Sequence, residues 1–116
     1  MKGVIFMSEK TLSQYKIIFD ERSYGWSNVK KYNLMFLKHQ ESFFNELLRK
    51  KGYLFLRDIY EGLGIPITKE SCIVGWIYDE KNNIIGDNFV SFDIRETNSS
   101  NYIVDFNVDG EIISRL

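Results

Sequence analysis

The sequence predicts an α+β fold: a helical hairpin of one long and one short helix, packed on an antiparallel sheet of about four strands. Three observations carry that expectation. Apolar residues recur at helical spacing between Asn28 and Lys51. After Thr68 the period shortens, and β-branched and aromatic residues gather in short runs bounded by turn formers. Helices come first and strands second, the order that segregates helices to one face of a sheet.

A chain of 116 residues predicts a single domain, 1–116, in which residues 1–25 are either an N-terminal segment or an edge strand. Gln14 to Phe19 reads as a strand with Tyr15, Ile17 and Phe19 on one face, and Glu21 to Gly25 as a turn. The long helix carries Tyr32, Met35, Phe36, Phe43, Phe44, Leu47 and Leu48, and Ser27 or Asn28 is suited to cap its start. Arg49, Lys50 and Lys51 oppose the negative end of its dipole, and Gly52 supplies a left-handed stop. Leu54, Phe55, Leu56, Ile59, Tyr60 and Leu63 form the short helix, which Gly64 ends and Pro66 forbids to continue. Gly62 is a weak point inside it, at roughly 1 kcal/mol against alanine. Strands follow at Cys72–Tyr78, Asn88–Ile94, Tyr102–Phe106 and Glu111–Ile113. Asp79 to Asn83 and Glu96 to Asn101 connect them, and Asn107-Val108-Asp109-Gly110 reads as a tight hairpin turn.

The net charge of −1 leaves no global field to draw the chain onto nucleic acid or an anionic membrane. The lone cysteine, Cys72, has no internal disulfide partner. The apolar run in MKGVIFM is too short for a secretory signal, and no segment has the length of a membrane span. A reducing host-cell cytoplasm is the expected location. The sequon Asn98-Ser99-Ser100 carries no meaning without secretion.

Candidate chemistry is sparse. The glycines around the short helix punctuate it and match no phosphate-binding loop. Asp58 and Glu61 sit three apart on one helix, a spacing that acid–base or metal chemistry uses, but a solvated edge is the commoner outcome. Asp105, Asp109 and Glu111 flank a turn too short for a calcium loop, with Asp105 expected to face outward. His39 and Cys72 are the sole candidates for a nucleophile pair, and the donors for a zinc site are too few. No catalytic residue, metal or cofactor is therefore expected.

Two surfaces remain. Trp76, Tyr78, Phe89, Phe92 and Tyr102 fall on the sheet, and if the helices cover one face, these aromatics offer anchors for a protein partner on the other. Lys30, Lys31, Lys38, Arg49, Lys50 and Lys51 make the long helix basic, as tracking a phosphate backbone requires. A solvated helix face is the commoner explanation of such a run.

Three blocks are distinctive: GYLFLRDIYEGLGIPIT at Gly52–Thr68, VGWIYD at Val74–Asp79 and IVDFNVDG at Ile103–Gly110. In this order they resemble a family of phage and prophage proteins of unknown function, over about the C-terminal two-thirds of the chain. The resemblance implies a mobile-element origin and no catalytic residue. The resulting expectation is a small non-enzymatic accessory protein that binds a host or phage protein, for instance as an inhibitor of a host defence protein. Alternatives are a nucleic-acid binder using the basic helix and a virion-associated structural protein. A homodimer is the expected assembly, nucleic acid the less favoured partner, and no membrane is involved.

Overall fold

The computed structural model describes residues 15–81 and 86–116. In chain order these form β1 (Ile17–Phe19), α1 (Lys30–Lys51), β2 (Tyr53–Phe55), α2 (Leu56–Leu63), β3 (Val74–Ile77), β4 (Phe92–Glu96), β5 (Tyr102–Phe106) and β6 (Gly110–Glu111). Single 3-10 turns at Glu70–Cys72 and Ile113–Arg115 precede β3 and end the chain. The α+β class and the unequal helix pair are as expected. The strands, however, divide into two antiparallel three-stranded sheets, ordered β1-β5-β4 and β2-β3-β6. Among the described residues, no helix is long and apolar enough to cross a membrane.

The long helix ends as its sequence dictates. Gly52 adopts the left-handed conformation, and its N–H donates to the Leu48 carbonyl at 2.8 Å. Its start is different. Neither Ser27 nor Asn28 is the cap residue, and α1 begins at Lys30 after Val29. The buried Asn33 reaches back instead, accepting from the Ser27 N–H at 2.8 Å and donating to the Ser27 carbonyl at 2.9 Å. This pair pins the chain ahead of the helix, where the Ser27 hydroxyl accepts the Val29 N–H at 3.0 Å; it does not cap the free N–H groups of the first turn. Asn33, Leu37, Phe44 and Leu48 are the buried face of the helix.

Tyr53, Leu54 and Phe55 form a strand rather than the first turn of the short helix. They pair with Ile77, Trp76 and Gly75 of β3. Asp58 sets the boundary: its carboxylate accepts the Phe55 N–H at 3.1 Å, satisfying a donor at the start of α2. Gly62 is a packing requirement, because a Cβ there would lie 2.7 Å from the Phe44 ring of α1. Gly75 is more constrained still. A Cβ there would overlap the Leu54 carbonyl oxygen, so β2 and β3 approach this closely only around glycine.

β5 spans Tyr102–Phe106 as expected, whereas β3 and β4 begin later than their apolar runs. Cys72 lies in the 3-10 turn, which Thr68 and Ser71 hold by reciprocal side chain-to-backbone bonds of 3.0 and 3.1 Å. Residues 88–91 are irregular, and β4 starts at Phe92. Side chains of α1 satisfy the backbone there. Asn45 both accepts from and donates to Val90 at 2.8 Å, and Glu41 accepts the Phe92 N–H at 2.8 Å. The Asn107–Gly110 stretch is not a hairpin turn. β6 pairs with β3, not with β5, so this segment carries the chain from one sheet to the other. Asp105, expected outside, is buried.

One core joins the layers. Leu37, Phe44 and Leu48 of α1 and Ile59, Tyr60 and Leu63 of α2 meet Trp76 from one sheet and Phe92, Tyr102, Val104 and Phe106 from the other. The Phe92 and Phe106 rings pack edge to face with centroids 5.1 Å apart. Gly75→Ala is expected to lower stability by about 3 kcal/mol, read as a reduced urea midpoint. An unchanged midpoint would contradict the close β2–β3 approach.

Candidate functional site

The residues singled out from the sequence separate into a half-buried junction and an exposed helix face. At the junction, the Asn107 side-chain oxygen accepts the Trp76 indole N–H at 3.0 Å and the Ser91 N–H at 2.7 Å, and the Asn107 carbonyl also accepts the indole N–H at 3.1 Å. Its amide nitrogen donates to Asp87 and to the Phe89 carbonyl, both at 2.9 Å. Asp109 completes the joint: its carboxylate accepts the Ile77 N–H at 3.0 Å, and its own N–H donates to the Gly75 carbonyl at 2.9 Å. Burial raises the Asp109 carboxyl above its ordinary value, outweighing the backbone N–H groups of Ile77 and Asp87 that lower it.

This junction corrects the expected protein-binding aromatics. Trp76 is 0% exposed, and Phe92 and Tyr102 are also buried, because both sheets turn these rings into the shared core. Tyr78 is half-buried against that core. Phe89 alone of the five is exposed. The five therefore do not form one outward patch.

The basic helix keeps its cations at the surface. Lys30 is ion-paired with Glu96 of β4, which raises its pKa through hydrogen bonding and then charge. Lys31, Lys38, Arg49, Lys50 and Lys51 are exposed. Lys31 lies 5.6 Å from the Tyr32 ring centroid and Lys51 lies 5.0 Å from that of Tyr53.

The other candidates do not converge. His39 stands on the exposed side of α1, whereas Cys72 sits in the turn before β3, its thiol 3.5 Å from the Thr68 carbonyl oxygen. Asp58 is occupied as a helix cap and Glu61 is exposed. Glu111 accepts from the Ser114 N–H and hydroxyl, which hold its carboxyl below the ordinary range. Among the described residues no group of three or more His, Cys, Asp or Glu side chains is placed to hold a metal.

Two surface features were not singled out from the sequence. One is an apolar trough of about 730 Å³ between β1 and the chain after α2, lined by Ile17, Ile18, Ile65, Pro66 and Ile103. At its rim the Arg22 guanidinium pairs with Asp20 at 2.8 Å and holds that carboxyl below its ordinary value. The other feature is the outer face of α1. Met35 is 63% exposed, Phe43 54% and Tyr32 50%. At roughly 100° per residue, Tyr32, Met35, His39, Phe43 and Glu46 fall within about 80° of arc, opposite Leu37, Phe44 and Leu48. The sequence held that signal. The helix bears two apolar stripes, and a single list of its apolar residues merges them.

An α+β fold with a core closed by a side-chain junction and one partly apolar helix face turned outward thus defines this protein. The chain belongs to the family of unknown function DUF6353, whose model matches residues 2–116. The match extends beyond the C-terminal two-thirds in which the three blocks lie. No curated protein and no solved structure matches the chain.

A carboxyl raised by burial stabilises the fold fully only below its unfolded pKa, and that contribution is lost as pH rises through the folded value. Asp109→Asn keeps an acceptor for Ile77 and removes the titration. The difference in unfolding free energy between wild type and Asp109→Asn is therefore expected to shift in favour of the variant as pH rises above about 4. A difference independent of pH in urea titrations would refute a titrating, half-buried Asp109.

Proposed function

We propose that this chain is a non-enzymatic protein-interaction module, an accessory protein of a phage or similar element, and that it engages its partner through the outer face of α1. The observation that carries the reading is the row Tyr32, Met35 and Phe43. Its apolar side chains stand exposed at helical spacing on the side away from the core. Helix faces of this kind dock into apolar grooves. Aromatic anchors supply most of the affinity at such contacts. The exposed cations beside the row fit a partner whose groove has an acidic rim. The resemblance of three blocks to phage and prophage proteins supports a host protein as target, inhibition of a host defence protein being the most specific version.

The test is affinity capture from host lysate with wild-type bait and with Met35→Glu/Phe43→Glu bait, each with and without nuclease. Met35 lies at the surface, while the Phe43 ring also packs edge to face on Phe44, so a folding cost of about 1 kcal/mol is expected for the pair and is checked by urea midpoints. Wild type is expected to retain a protein after nuclease treatment, and the variant to recover it at least about tenfold less well. Equal recovery by the two baits would overturn the assignment to α1.

A second reading rests on the exposure of Lys31, Lys38, Arg49, Lys50 and Lys51 along the same helix. In that reading α1 tracks the phosphates of a nucleic acid. It predicts binding at low salt that weakens linearly in log affinity against log salt, and that Lys50→Glu/Lys51→Glu abolishes. Absence of binding to DNA or RNA at low salt would end it.

A further inference from the structure

We infer that the open edge of β1, with the apolar trough beside it, is a docking site for an extended peptide that adds a strand to the β1-β5-β4 sheet. The peptide runs antiparallel to β1, turns β-branched side chains into the trough and carries a carboxylate near its carboxy-terminal end. The trough contains no residue of α1, so this is a second surface, independent of the reading above.

Among the described residues β1 pairs only with β5 and stands at the edge of its sheet. In an antiparallel pair, alternate residues turn their N–H and C=O groups away from the partner. Those of β1 find no other partner among the described residues, which leaves a template for an added strand. Lys16, Ile17 and Ile18 all line the trough. Successive side chains of a strand point to opposite faces, so a trough that touches all three runs along the edge and not over one face. Its far wall is Ile65, Pro66 and Thr68, a stretch that belongs to neither sheet. Pro66 has no N–H with which to pair. A strand laid along Lys16–Asp20 would be about five residues and roughly 17 Å long.

Two polar side chains define the chemistry of the occupant. Tyr60 lines the trough and is 6% exposed, and its hydroxyl has no hydrogen-bond partner among the described residues. Among those residues no fully buried side-chain oxygen lacks a partner, so the remaining exposure of this hydroxyl is to the trough. Burial, and then the nearby Glu70 carboxylate, raise its pKa. It therefore stays a donor, matched by a peptide carbonyl. Lys16 is exposed and without an ion pair among the described residues, whereas Arg22 is taken by Asp20. Lys16 directly precedes β1 and so faces the carboxy-terminal end of an antiparallel strand, where a carboxylate complements it. A small apolar molecule would fill the trough but leave the β1 backbone groups unpaired. An extended peptide satisfies both, with main-chain bonds for affinity and alternate side chains for specificity.

The probe is a library of displayed random heptapeptides, selected on the immobilised full chain. Selected sequences are expected to alternate β-branched with polar residues and to end in Asp or Glu. Methylation of single backbone nitrogens in the best peptide, made synthetically, is expected to abolish binding at every second position and spare the others. Tyr60→Phe is expected to bind that peptide about tenfold more weakly with no loss of urea midpoint, since the hydroxyl it removes bonds nothing in the free chain. Selection on Lys16→Glu is expected to exchange the acidic end for Lys or Arg. Met35→Glu/Phe43→Glu is expected to bind the peptide as wild type does. Absence of any enriched peptide, or methylation losses without a two-residue period, would overturn the inference. So would a peptide that Tyr60→Phe and Lys16→Glu bind as tightly as wild type. If that peptide were lost instead from Met35→Glu/Phe43→Glu, the β1 site would fail while the α1 reading stood.

Discussion

The two sheets of this protein are joined through one residue, Asn107, whose side chain and carbonyl both accept from Trp76. Among the described residues the two sheets share no strand, so no strand-to-strand ladder joins them. Asn107 leaves the end of β5, accepts the indole N–H of Trp76 in the other sheet, and also accepts the N–H of Ser91 ahead of β4. The Asn107 carbonyl accepts the same indole N–H at 3.1 Å, so main chain and side chain of one residue share this donor, and a hydrogen bond of this kind contributes about 1 kcal/mol. With that acceptor in place, Trp76 lies fully inside and forms the contact around which both sheets and both helices pack. Asp109 repeats the device two residues later with the Ile77 N–H, and Gly75 lets β2 close over the result.

From this junction follows the division of α1 into three faces. Its inner face carries Leu37, Phe44 and Leu48 to the core. A polar flank, Glu41 and Asn45, supplies hydrogen bonds to the backbone at Val90 and Phe92 that a neighbouring strand would otherwise provide. The helix is therefore fixed against the sheet by polar groups on one flank as well as by apolar burial. Because Trp76, Phe92 and Tyr102 are consumed inside, the aromatic surface proposed to meet a partner belongs to the third face, with Tyr32 and Phe43.

Much of the fold was legible because it is written in local chemistry. Gly52 and Gly64 stop their helices in the left-handed conformation that glycine tolerates best. The long helix and the core of each long strand follow from period alone. What escaped was set by distant partners. Leu54 and Phe55 read as helix because their apolar side chains run on without a break into Leu56–Leu63; only Asp58, three residues past Phe55, marks the boundary. Residues 88–91 read as strand, yet their backbone is satisfied by Asn45 and Asn107 side chains from far away in sequence. Asn107–Gly110 has hairpin composition, but Asn and Asp are chosen there for what their side chains bind in the other sheet. The candidate surface was legible in part: the basic residues lie where the sequence puts them, while period alone could not say which apolar stripe of α1 faces water.

The most direct test of the Asn107 junction is a double-mutant cycle between Trp76→Phe and Asn107→Ala, measured by urea denaturation. If one hydrogen-bonded contact joins the two sheets, the single substitutions each destabilise and the pair falls short of their sum by about 1–2 kcal/mol. Additive effects would contradict the account, because they would mean that Trp76 and Asn107 stabilise their own sheets separately.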